Sequence, residues 1–170
     1  MNNSLYEDNY SKVVEPKYGN KRDSINDEIL TKNILNKHSY TINERVDMTM
    51  HHSYSIDPIG CTDADDAFSV YNENDKLYFA IHIADPTEYI ELNSDLWKDI
   101  VNRTTTKYPS NRAPIHMMPD KVLELSSLQG SYQGNRKNAI TVLTEINSTT
   151  YEPIHEIKLL FTIIFVKKEN

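Results

Sequence analysis

The run AFSVYNENDKLYFAIHIAD, from Ala67 to Asp85, decides how the chain folds. Phe68 and Val70 alternate with smaller or polar residues on one arm, and Leu77, Phe79, Ile81 and Ile83 do so on the other. A period of two is the signature of a strand with one apolar face. Between the arms, Asn72, Asn74 and Asp75 are residue types that tolerate left-handed backbone. The stretch predicts a β-hairpin.

Working outward, MHHSYSID (residues 50–57) reads as a short strand running into Pro58-Ile59-Gly60. Downstream, Asp85-Pro86 ends the hairpin, and Ser94 can cap a helix reaching about Thr105, with Leu96, Trp97, Ile100 and Val101 on its apolar side. Residues 108–119 hold Pro109, Pro114 and Pro119 and predict an irregular loop. Two strand-like runs follow, at 138–146 and 156–166. At the other end, residues 1–22 read as a polar arm, and a helix is expected from Ser24, with Asp27 and Glu28 in its first turns and Ile25, Ile29, Leu30 and Ile34 forming a stripe. The expected class is α+β, a mainly antiparallel sheet with flanking helices occupying residues 23–170.

Composition narrows the setting. The chain has a net charge of −7, a single cysteine (Cys61) and only four glycines, so an intramolecular disulfide is excluded and a reducing compartment is expected. Heavy use of Asn, Ile, Lys and Tyr suggests AT-rich coding. The N-terminus has no apolar signal core, and the most apolar run, Leu159 to Val166, is far short of the roughly 20 residues that span a bilayer. A soluble intracellular protein, cytoplasmic or nuclear, is expected, with no membrane partner. Net acidity argues mildly against a nucleic-acid ligand. Yet between Asp95 and Ile140 seven basic side chains (Lys98, Arg103, Lys107, Arg112, Lys121, Arg136, Lys137) face four acidic ones. Such a strip suits a phosphate substrate, and a solvated mixed surface gives the same count.

Just ahead of the hairpin, SIDPIGCTDADDAFSV (residues 55–70) crowds Asp57, Asp63, Asp65 and Asp66 together. Like charges in a half-buried loop repel, and a divalent cation with hard oxygen ligands removes the conflict. Several uses fit four carboxylates. A solvated acidic turn needs no function. An EF-hand fails, because counting from Asp63 puts Phe68 where Gly is required and Asn74 where Glu is required. A DxD sugar-nucleotide transferase would use Asp63 and Asp65, although no nucleotide-binding βαβ unit precedes them. A metal-dependent phosphodiester hydrolase is the most natural use of convergent carboxylates.

The same stretch resembles the signature of the RNase II/RNase R (RNB) exoribonucleases: an aspartate before proline, then aspartates six, eight and nine residues on. Gly60-Cys61 is most similar to the eukaryotic, exosome-associated branch. The resemblance extends through ERVDM (44–48), LYFAIHIADPTEYI (77–90), NRTTTKYPSNRAPIHMMP (102–119), ELSSLQG (124–130) and NRKNAITV (135–142). His116 stands where the family usually has proline, and Thr104 where it has glycine. The resemblance implies a Mg²⁺-dependent 3′→5′ exoribonuclease, with Mn²⁺ as a substitute, that degrades single-stranded RNA to nucleoside 5′-monophosphates. By position, Asp57 and Asp66 would be metal ligands supported by Asp63, and Asp65 the catalytic aspartate. Tyr108 would pack at the RNA 3′ end, and Arg103 and Arg112 would contact phosphate. The chain corresponds to about the first half of such a catalytic domain. Either a second chain supplies the remainder, or this is a fragment that binds metal or RNA without cleaving. Its last run, EIKLLFTIIFVKKEN, would then be a strand lacking sheet neighbours.

Overall fold

Strand pairing organises the chain. The computed structural model describes residues 45–58, 61, 63–110, 113–129 and 135–167. The expected polar arm, the helix from Ser24 and Arg112 lie outside them. Five strands, β1 (Val46–Tyr54), β2 (Asp66–Glu73), β3 (Lys76–Ala84), β4 (Asn135–Ile146) and β5 (Lys158–Lys167), form a closed barrel in that order. The hairpin stands as expected, with Glu73 opposite Lys76 and a two-residue turn at Asn74 (φ 49°) and Asp75 (φ 61°). Two successive left-handed residues match the right-handed twist of the flanking strands.

The expected mainly antiparallel sheet with flanking helices is instead a closed barrel. Four pairings along the barrel are antiparallel, and β1 joins β5 in parallel. The cause is parity: in an up-and-down run of five strands, the first and fifth point the same way. β5 therefore has neighbours on both sides, contrary to the expectation of a stranded edge, and closure leaves no edge exposed.

The alternation in the hairpin is real, but its large apolar residues are not the ones turned inward. Ala67, Ser69, Ala80, His82, Ala139, Thr141, Thr162, Ile164 and Val166 are buried, whereas Val70 and Ile83 are about half exposed, at 51% and 42%. A barrel of few strands has a narrow lumen that small side chains fill, so bulk goes outside. The core is accordingly modest: Met48, Ala67, Ala80, Leu128, Ala139, Ile164 and Val166, with Tyr71, Ala84 and Leu143 packed against it. His51 stacks on Tyr71 (ring centroids 3.6 Å apart), and Tyr71 on Tyr78 at 5.4 Å. Burial pushes the Tyr71 phenol up to about 12.

Each strand also contributes one polar side chain to a hydrogen-bonded girdle. Ser53 Oγ lies 2.9 Å from Ser69 Oγ, Ser69 Oγ 2.8 Å from His82 Nε2, His82 Nδ1 2.7 Å from Thr141 Oγ1, and Thr141 Oγ1 2.6 Å from Thr162 Oγ1. Thr162 Oγ1 also lies 3.3 Å from Ala139 O. Read in either direction, the chain of hydroxyls asks one ring nitrogen of His82 to donate and the other to accept. His82 is thus a neutral imidazole.

Burial holds the His82 pKa down at about 4, below the ordinary 6.5. Between those values the unfolded chain binds a proton that the barrel refuses. Stability is therefore full above the unfolded pKa and falls as pH drops toward the folded one. Urea denaturation is expected to show a loss of about 2 kcal/mol between about pH 7 and about pH 5. His82→Gln, which has no titrating ring, should flatten that slope. An unchanged slope would overturn the assignment.

Arg45, directly before β1, is tied to the segment after β3. Its Nη2 donates to Asp85 Oδ2 at 2.6 Å and its Nε to Glu88 Oε1 at 2.8 Å. Nη1 reaches Ala139 O and Thr162 O at 3.4 Å each. Asn138 Nδ2 donates to the other Glu88 oxygen. Burial pushes the Asp85 carboxyl up, but hydrogen bonds from Thr87 and Arg45 outweigh it and hold it below the usual carboxylate range.

The described residues divide into two compact units, 89–122 and the barrel residues 45–88 with 123–167. The smaller one carries α1 (Asp95–Arg103), capped as expected by Ser94, whose Oγ accepts from Trp97 N at 3.1 Å. Leu96 and Ile100 are its buried side chains. The proline-rich stretch is irregular, pinned by reciprocal backbone bonds between Lys107 and Ile115. A short helix absent from the expectation, α2 (Asp120–Ser126), follows Pro119. Among the described residues no helix is long and apolar enough to cross a membrane.

Candidate metal and RNA site

The four aspartates lie on the segment between β1 and β2, and Asp66 is the first residue of β2. Cys61 N–H donates to Pro58 O at 3.1 Å. Ala84 N donates to Asp65 O at 2.8 Å, so the hairpin partner fixes the backbone of the catalytic candidate. The Cys61 thiol lies 3.7 Å from Asp57 Oδ1 and 3.8 Å from Asp63 Oδ1. Burial pushes that thiol up, and the two carboxylates push it further.

Asp65 shows that the charges interact. Partial desolvation first, then the negative charges of Asp63, Asp66 and Asp57, hold its carboxyl above the usual range. Among the described residues no Lys, Arg or His forms an ion pair with Asp57, Asp65 or Asp66. Nor, among those residues, do three His, Cys, Asp or Glu side chains surround a common point as a ready cage. The donor set is hard carboxylate oxygen, and among the described residues no cation pairs with Asp57, Asp65 or Asp66. It fits Mg²⁺, which needs only one or two carboxylates and fills its shell with water and phosphate oxygens.

Tyr108 and Arg103 sit on the smaller unit. Tyr108 is 64% exposed, which suits a stacking platform and not a core residue. Arg103 gives its Nε to Asp99, at 3.0 and 3.2 Å. The basic strip is largely spent on local partners. Lys98 pairs with Asp95, Arg136 pairs with Asp47, and Lys137 Nζ binds Glu124 O and Leu125 O at the end of α2. The mixed-surface reading accounts for Lys98, Arg136 and Lys137.

Sequence reasoning gave no role to Arg45 or Asp85, although both lie in quoted family blocks. Their pairing spans 40 residues, and no local pattern signals it. It likewise assigned nothing to Ser127 and Gln129, which bind the aspartate loop from a distant segment.

The chain is similar to several known proteins. A probable exosome complex exonuclease of Caenorhabditis elegans is 32% identical over 112 residues, covering 63% of this chain and 12% of the worm protein. Mycoplasma genitalium RNase R, solved in complex with ribose-methylated single-stranded RNA, superposes with a TM-score of 0.67 at 19% identity, covering 83% of this chain and 22% of that one. Yeast Ssd1, a pseudonuclease, superposes with a TM-score of 0.62 at 18% identity, covering 73% and 15%. The chain therefore spans less than a quarter of the length of each of these relatives. The RNB domain profile matches residues 45–169, which takes in the barrel, the aspartate loop and the Tyr108 segment alike, and the chain belongs to the RNB family.

Proposed function

We propose that the chain carries the metal-binding part of a 3′→5′ exoribonuclease that hydrolyses single-stranded RNA to nucleoside 5′-monophosphates with Mg²⁺, or with Mn²⁺ in its place. The observation that carries this reading is the crowding of four carboxylates on one barrel-anchored loop within the RNB match, with the Asp65 carboxyl raised by partial desolvation and by the other three. Asp57, Asp63 and Asp66 would hold the ion, with Asp65 as the catalytic aspartate. A bound divalent ion supplies Lewis-acid polarisation of the scissile phosphate and lowers the pKa of a coordinated water. The protein's own part is to fix the loop through Ala84 and to offer Tyr108 as a face on which any 3′ base can stack. Arg103 and Arg112 are the proposed phosphate contacts.

A second reading, a fragment that binds metal or RNA without cleaving, is favoured by one feature. The outer barrel face presents Ile81 and Ile83 beside Val142 and Ile140, and beyond them Leu159 and Phe161. Four of these six are at least two-fifths exposed. An apolar surface of that kind fits further polypeptide lying on it, and a second chain carrying the rest of the domain would supply such a cover.

Incubation of the purified chain with 5′-end-labelled single-stranded RNA and Mg²⁺ tests the primary reading. Stepwise shortening from the 3′ end, abolished by EDTA, is the expected result. A folded, Mg²⁺-binding chain that leaves the RNA intact would establish the second reading.

A further inference from the structure

The aspartate loop is gripped by a segment far away in sequence. Gln129 donates Nε2–H to Cys61 O at 2.7 Å. Leu128 N donates to Ala64 O at 2.7 Å, and Ser127 Oγ donates to the same oxygen at 3.3 Å. Ser127 Oγ also accepts from Gln129 N at 3.2 Å, so the grip is internally braced. Three consecutive residues thus hold two carbonyls, one on each side of Asp63 and the second directly ahead of Asp65 and Asp66.

The grip is firmly rooted. Leu128 is fully buried in the barrel core, and Ala64, the residue it holds, is buried as well. The preceding helix α2 is fastened to β4, because Lys137 Nζ binds the carbonyls of Glu124 and Leu125 near its end. Lys137 is a cation at a helix C-terminus, where the unsatisfied carbonyls and the dipole both favour it.

Mutual repulsion drives the four carboxylates apart, and a short loop closed at both ends by strands can relieve it by rotating its peptide units. Bonds to Cys61 O and Ala64 O oppose those rotations. We propose that Gln129 and Ser127 are positioning residues, which keep the loop in the conformation that takes up a divalent cation. The proposal rests on the metal reading above. Outer partners of this kind orient ligands they do not themselves replace.

The test uses the full chain, with Gln129→Met, which keeps the side-chain length and loses the donor, and Ser127→Ala combined with it. Two properties are read. One is Mn²⁺ affinity, by electron paramagnetic resonance of the free ion. The other is the rate at which iodoacetamide alkylates Cys61, the only cysteine. Mn²⁺ affinity is expected to fall by about 10- to 100-fold. Cys61 should react several-fold faster in protein that is still folded by circular dichroism. A purely structural role would lower the melting temperature without changing thiol reactivity in the folded state. Unchanged alkylation in the double variant would overturn the grip itself. Faster alkylation with unaltered Mn²⁺ affinity would overturn its role in metal binding. A wild-type chain that takes up no Mn²⁺ would overturn the metal reading together with the positioning role, and the thiol rates would still report whether the grip exists.

Discussion

Asp65→Asn is expected to lower RNA shortening by at least about a hundredfold while leaving a barrel at least as stable as the wild type. The two halves of this expectation have separate causes. The backbone of residue 65 is fixed by Ala84 N, so an isosteric side chain leaves the loop in place. The carboxyl itself is held above its usual range by partial desolvation and by Asp63, Asp66 and Asp57. A carboxyl raised in the folded state costs stability wherever it is ionised, and the cost disappears as pH falls and it protonates. In metal-free buffer near neutrality the variant should therefore match or exceed the wild type, by roughly 0.2–1 kcal/mol, the scale of a screened surface pair. The difference should close as pH falls below the usual carboxylate range, where both states are protonated. Added Mg²⁺ should reverse the order, because an ion bound only to the folded wild type stabilises it by mass action. Thermal melts with and without Mg²⁺, beside the end-labelled RNA assay, check all three statements. A variant that shortens RNA at the wild-type rate would remove Asp65 from the chemistry.

Those carboxylates were legible in the sequence because they are local: four charges in ten residues need no knowledge of the fold. The hairpin and the Ser94 cap were legible for the same reason, since a period of two, a turn of Asn and Asp, and a capping hydroxyl are nearest-neighbour signals. The inside of the barrel was not. Alternation shows that two faces differ but not which is buried, and the usual assumption that bulk goes inward fails when curvature makes the inside narrow. Ser69, His82, Thr141 and Thr162 look like the polar side of half-exposed strands, yet they are the buried side. Closure was hidden too, because the β1–β5 pairing joins residues more than a hundred positions apart. The basic strip shows the limit of counting. The same seven charges fitted a phosphate track and a solvated mixed surface, and only the fold reveals that four of them are engaged by Asp95, Asp99, Asp47 and the end of α2.

The largest effect on stability is expected from Arg45→Met. The Arg45 side chain is 4% exposed and Asp85 is fully buried. The guanidinium serves two carboxylates and two backbone carbonyls at once, and it lies 5.8 Å from the centre of the Phe161 ring. Methionine fills part of the volume and supplies no donor, which strands a buried carboxylate at a cost of about 3–5 kcal/mol. Arg45→Lys should recover only a minor share, because one ammonium cannot reproduce a planar fork of donors. Arg45→Met combined with Asp85→Leu should cost far less than the two single variants added together, since no charge is then left unpaired. The pH dependence gives an independent check. Hydrogen bonds from Thr87 and Arg45 hold Asp85 below the usual carboxylate range, so its stabilising contribution is complete above that range and lost as pH falls through the folded value. The advantage of the wild type over Arg45→Met should accordingly shrink as pH falls, first as the stranded Asp85 of the variant protonates and last, in strong acid, as that of the wild type does. Asp85 directly follows Ala84, whose N–H holds Asp65 O, so RNA shortening should fall along with stability. Urea denaturation at neutral and acid pH separates these outcomes. A single variant within about 1 kcal/mol of the wild type would mean that water or a neighbouring donor satisfies Asp85 once Arg45 is gone, and that the ion pair does not hold this end of the barrel together.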